Sequence, residues 1–150
     1  PIADASNAPE ETPAAPEGDG DGGGGADDAA SAPAGGAVTL SPSTVSRCFA
    51  GMAPTAIPGA RCDRLPALDQ HFASRSAQIA ACAAGTHGRL TFIMDFRFST
   101  QHVSAWGGPA STVPNAGLVS LCVRRATAPL PLTTVPHAND RYIVSVPIEW

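Results

Sequence analysis

The chain has 150 residues, enough for one domain, with a formal net charge of −4, 43% hydrophobic residues and 15% charged residues. No window approaches the ~18 consecutive apolar residues that a bilayer-crossing helix needs. The nine basic residues are all Arg. They form no clustered face interleaved with stacking aromatics, which argues against a nucleic-acid partner.

Residues 1–36 hold Asp4, Glu10, Glu11, Glu17, Asp19, Asp21, Asp27 and Asp28 and no Arg. Ile2 is their only large apolar side chain, and Gly22 to Gly25 stand in a row. Such a segment cannot bury enough apolar surface to offset its ordering entropy, so 1–36 is expected to be a disordered acidic linker. A basic partner or metal ions are the sharper reading of its charge. No calcium-loop spacing is present, because Asp19-Gly20-Asp21-Gly22 lacks the distal acid. The chain opens on Pro1, so a processed mature protein or a piece of a longer one is expected, with room for a membrane anchor ahead of it.

Four cysteines, Cys48, Cys62, Cys82 and Cys122, allow three pairings. No Cys-x-x-Cys occurs and no His lies at a standard zinc spacing. The Cys48–Cys62 interval is rich in Pro, Gly and Ala, and closing it would contribute about 3 kcal/mol by loop entropy. The favoured pairing is Cys48–Cys62 with Cys82–Cys122, and the alternative is four reduced thiols. Residues 37–62 are expected to be an irregular, disulfide-clamped segment. Disulfides imply a periplasmic or extracellular location.

Residues 63–84 read as a helix, with Asp63 as N-cap and Pro66 in the first turn. Leu65, Leu68, Phe72, Ile79, Cys82 and Ala83 form its apolar stripe, and Gly85 stops it. From Gly88 to Ser99 the period changes to two. Leu90, Phe92, Met94, Phe96 and Phe98 share one face; Arg89, Thr91, Asp95 and Arg97 share the other. A short turn leads to a second strand, Val103 to Trp106, ended by Gly107-Gly108. A second helix follows Asn115, with Leu118, Leu121, Cys122 and Arg125 on one side. Residues 128–140 hold three Pro and read as a loop.

The closing segment Arg141 to Trp150 alternates as a third strand. Pro147 cannot donate to a ladder, so this strand is expected to have an open side. The expected fold class is α+β. A three-stranded antiparallel sheet carries two helices on one face, in the order α-β-β-α-β over 63–150.

The stretch QIAACAAGTHGRLTFIMDFRFSTQHVSAW, followed by LVSLCVRR and the alternating closing strand, resembles the AgmX/PglI C-terminal domain. That is a TonB C-terminal-like family of exported proteins in delta-type bacteria. The resemblance covers roughly residues 65–150. It rests on Cys82 near a helix end, Gly88 opening a strand, the hairpin to Val103, and Cys122-Val123 in the second helix. It implies a periplasmic interaction domain on a flexible linker, in a motility or TonB-like envelope machine.

Enzyme chemistry has little support. There is no Gly-x-Ser-x-Gly, no His-Glu-x-x-His and no phosphate-binding glycine loop. Asp95 beside Arg97 reads as a surface pair, and His71 and His102 read as rim and turn residues. No catalytic, cofactor-binding or metal-ligating residue is assigned. The expectation is a non-enzymatic module whose partners are envelope proteins, gripped as an added strand at the edge carrying Ile143, Ser145, Pro147 and Glu149. An exported structural subunit or lipoprotein domain is the alternative, and a small secreted hydrolase is the third.

Overall fold

A computed structural model describes residues 36–150; all of the acidic linker except Gly36 lies outside them. The described chain is a mixed α+β unit. Its strands are β1 (Thr39–Leu40), β2 (Thr44–Phe49), β3 (Ile57–Pro58), β4 (Arg89–Arg97), β5 (His102–Gly107) and β6 (Arg141–Glu149). Its helices are α1 (Pro66–Ser74), α2 (Ser76–Ala81) and α3 (Ala116–Thr127), and a 3-10 turn covers Gly59–Arg61. The six strands form one antiparallel sheet in the order β3-β2-β6-β4-β5, with β1 also paired to β6. The expected three-stranded sheet is therefore an undercount by three.

All three additional strands come from the segment expected to be irregular. In β2 a bulge between Val45 and Arg47 shifts the register, so that Val45 and Cys48 sit opposite Val144 and Tyr142. The bulge gives the apolar positions a spacing of three, which masks the period-two signal. Ser46 bends back there, its hydroxyl donating to the Ile143 carbonyl at 2.9 Å. Gly59 is required where the 3-10 turn passes β2, because a Cβ there would lie 2.0 Å from the Val45 carbonyl oxygen.

The expected open strand, β6, is interior. Ile143, Ser145 and Glu149 face β4 residues on one side and β1 or β2 residues on the other, and Pro147 faces Thr91 of β4. Pro147 is tolerated because its carbonyl, which accepts from Ser41 N–H at 3.0 Å, points at the break between β1 and β2. The missing N–H faces that same break, so no ladder bond is lost.

One face of the sheet makes the core. Leu90, Phe92, Met94 and Phe96 of β4 interleave with Tyr142, Val144, Val146 and Ile148 of β6, all buried. Leu68, Phe72, Ile79, Val119 and Val123 cover them from the helices. The expected single helix over 63–84 breaks at Arg75, whose backbone N–H bonds the Phe72 carbonyl at 3.0 Å. Ser74 Oγ competes for the His71 carbonyl at 2.6 Å, the usual way Ser loosens a helix.

Asp63 does not cap α1; Leu65 holds that position. Its carboxylate accepts from Tyr142 Oη at 2.5 Å, Ala138 N at 3.0 Å and Asn139 Nδ2 at 3.3 Å. Tyr142 Oη in turn accepts from the Asn139 and Ala138 amides at 2.8 and 3.1 Å. Burial pushes the Asp63 carboxyl up, but the donors outweigh it and the group lies below its ordinary value. Burial and the Asp63 acceptor raise the Tyr142 phenol.

The cysteines pair as Cys48–Cys62 and Cys82–Cys122, with Cα separations of 6.0 and 5.6 Å. The second joins the end of α2 to the middle of α3. Breaking it with Cys82→Ser and Cys122→Ser should cost about 4 kcal/mol on loop entropy, read as a lower urea midpoint.

Tyr142→Phe should cost about 1–3 kcal/mol, because two amides and a carboxylate lose their shared partner. Asp63 has a depressed folded value, so its stabilisation is complete above the ordinary carboxylate range. It is lost as pH falls through the depressed value. In Tyr142→Phe that acid-induced loss should begin at higher pH, measured by circular dichroism across an acid titration.

Candidate functional site

An open sheet edge is a row of unpaired backbone donors and acceptors, and folded proteins normally blunt it. The flank closed by β1 and β3, each two residues long, is treated differently from the β5 flank. The β3 edge is two residues long, ends in Pro58, and runs into the 3-10 turn that Cys48–Cys62 clamps. The β5 edge is six residues long and carries no Pro, no Asp or Glu and no bulge.

The register of β5 decides which groups point outward. Residues 102–107 pair with 97–92 of β4, and Gly108 N–H donates to the Thr91 carbonyl at 2.7 Å. His102, Ser104 and Trp106 share that parity and turn their backbone groups toward β4. Val103, Ala105 and Gly107 turn theirs outward. Among the described residues no hydrogen bond reaches those three amides.

Beside this edge lies an apolar cleft of about 270 Å³. Val103 and Ala105 form one wall, Phe92 and Met94 the floor, and Leu130 and Leu132 the end. Arg124 and Thr127, in the last half of α3, form the opposite wall. The cleft exists because β5 offers only small side chains on this face. Its helical wall is fixed from behind: His71 Nε2 lies 2.7 Å from the Thr127 carbonyl, and Thr127 Oγ1 donates to the Val123 carbonyl at 2.9 Å. The 130–135 loop closes on itself through Val135 N to the Pro131 carbonyl at 3.2 Å.

The inward stripe of α3 differs from the expected one. Val119, Ser120, Val123 and Thr127 are buried, while Leu118 and Leu121 are 69% and 49% exposed. Cys122, joined to Cys82, lies at the flank of that buried stripe, and Leu118 and Leu121 lie on the far side of the helix from the stripe. On the opposite face of the sheet Trp106 is 43% exposed. Trp150, by contrast, is tied down, its indole N–H donating to the Ala80 carbonyl at 3.1 Å.

Asp95 does not pair with Arg97. Two hydrogen bonds from Arg141, at 2.9 and 2.6 Å, hold its carboxyl below the ordinary value despite partial burial. The Arg141 guanidinium also stacks 4.7 Å from the Phe49 ring centroid. Arg97 reaches Asp140 at 3.9 Å. His102 opens β5, and His137 stacks flat on Phe98 with ring centroids 3.5 Å apart. A wider polar cleft of about 540 Å³ lies between α1 and the β1–β2 connection. Its acids are already engaged, Asp69 by the Ser43 amide at 2.8 Å and Asp63 by Tyr142.

Among the described residues no group of three or more His, Cys, Asp or Glu is placed to hold a metal ion, and no helix is long and apolar enough to cross a membrane. Comparison with family models, with curated proteins and with solved structures finds no match.

Composition favours neither wall of the cleft as a site. The signal available in the sequence was the short Val103 to Trp106 segment between a turn and Gly107-Gly108, with no strand-like partner after it. The edge assignment has a direct check. The amides of Val103, Ala105 and Gly107 should exchange with solvent deuterium at least tenfold faster than those of Ser104 and Trp106, followed residue by residue by NMR.

Proposed function

We propose that this chain is a non-enzymatic, extracytoplasmic interaction module that binds an extended segment of another protein as an added strand beside β5. The observation that carries this reading is the juxtaposition of a long, unblunted edge with an apolar cleft on its core side. Main-chain bonds at Val103, Ala105 and Gly107 supply affinity, and the cleft between β5 and α3 takes every second side chain of the segment. The two disulfides support a periplasmic or extracellular setting. The resemblance to the AgmX/PglI C-terminal domain supports an envelope complex as that setting, with motility or TonB-like transduction as its work.

Net hydrogen-bond gains of about 0.5–1.5 kcal/mol each, set against the ordering of a flexible segment, place such binding at about micromolar or weaker. Titration with extended peptides should shift the amide resonances of Val103, Ala105 and Gly107 and leave the β3 edge unmoved. Ala105→Pro removes one outward N–H without touching the β4 ladder. It should keep the fold, shown by an unchanged far-ultraviolet spectrum, and weaken peptide binding at least fivefold. Normal binding by a folded Ala105→Pro chain would contradict strand addition.

A further inference from the structure

The edge and cleft also define what kind of segment fits, an inference that rests on the strand-addition reading. Arg124 is the one charged side chain lining the cleft. Among the described residues it makes no ion pair, whereas Arg89, Arg97 and Arg141 on the sheet are matched by Glu149, Asp140 and Asp95. The sequence around it is one-signed. Between Asp95 and Asp140 there is no acid at all, while Arg97, His102, Arg124, Arg125 and His137 fall in that interval. The whole block of β5, α3 and the following loop is therefore free of carboxylates.

Arg124 stands on the α3 wall, on the same side of the sheet as the apolar floor. Side chains of an added strand alternate between the two sides of the sheet. The residue that fills the cleft and the residue that meets Arg124 must then be an even number of positions apart, two being the shortest spacing.

We propose that the partner segment at β5 carries an acidic side chain two residues from an apolar one, the apolar group seated against Phe92 and Ala105 and the carboxylate paired with Arg124. Arg124 is exposed, so its pairing with a carboxylate is a modest, salt-sensitive surface contact. The intervening residue faces the side on which Trp106 is exposed.

The test uses the full oxidised chain and a peptide of sequence Ser-Thr-Val-Thr-Val-Thr-Glu-Thr-Ser, acetylated and amidated so that no terminal charge contributes. Matched peptides replace Glu by Gln or by Lys. At low salt the Glu peptide should bind about threefold to tenfold more tightly than the Lys peptide, with Gln between. The gap should close near 1 M salt, where screening acts within ~3 Å. Arg124→Glu should reverse the order, and Arg64→Glu, which changes net charge equally on another surface, should leave it intact.

Equal affinities for all three peptides, with the Val103 and Ala105 amides still shifting, would overturn the acid preference and leave strand addition standing. No peptide-induced shift at β5 would overturn both. A Glu preference that survives in Arg124→Glu would place the acid elsewhere and overturn the assignment to Arg124. A concentration-dependent dimer that protects the Val103 and Ala105 amides and excludes peptide would give the edge to a second copy, also overturning it.

Discussion

Everything in the described chain is organised by the double-sided pairing of β6. Its nine residues bond β4 along their whole length and β1 and β2 on the other flank. Tyr142, Val144, Val146 and Ile148 project to one face and are at most 2% exposed. Each such side chain contributes about 1.5–3 kcal/mol on burial, so a register slip of one residue would turn the strand inside out and forfeit the core. The last strand in the sequence is thus the first constraint in the fold. It fixes β4 and the β4–β5 hairpin on one side and recruits the N-terminal strands on the other.

The remaining interactions hold loops and helices to that frame. The Asp63–Tyr142 contact joins the chain just before α1 to the root of β6 and orders residues 138 and 139 through shared hydrogen bonds. Asp140 repeats the device, accepting from Ser99 N at 2.8 Å and Ser99 Oγ at 3.0 Å, which pins the β4–β5 turn. Gly88 opens β4 where a Cβ would come within 2.7 Å of Val113 Cα, so the loop before α3 lies directly on the strand. The Cys82–Cys122 bridge then sets α3, and with it the wall of the β5 cleft. A small core benefits from such ties because its own burial leaves little surplus stability.

The sequence made the chemistry of individual elements legible and left their neighbours obscure. The clean alternation of β4 and β6 gave element types directly, because it depends on nearby residues only, whereas the helix expected to run up to Gly85 ends at Ala81 and passes into a turn over 82–85. The disulfide pairing followed from helix placement and loop arithmetic. Strand order did not follow, since it depends on β2, whose bulge at Val45–Arg47 disguises its period. The reasoning from Pro147 failed for a related reason: proline excludes one ladder bond, and a local break in the neighbouring strand removes the need for it. Leu118 and Leu121 misled because hydrophobicity was read as inwardness, while the buried face of α3 is built from Val119, Val123 and two hydroxyl residues bonded to their own helix. The cleft was invisible in advance, because Ala105, Thr127 and Leu130 meet only through tertiary structure.

The unequal treatment of the two edges is the strongest physical support for the functional reading. An exposed β5 with outward amides and a 43% exposed Trp106 is a standing risk of edge-to-edge association. The opposite edge shows the same chain using a proline, a 3-10 turn and a disulfide to remove that risk. An edge left available beside an acid-free apolar cleft is what a site for a transient extended partner requires, since blunting it would remove the donors that do the binding.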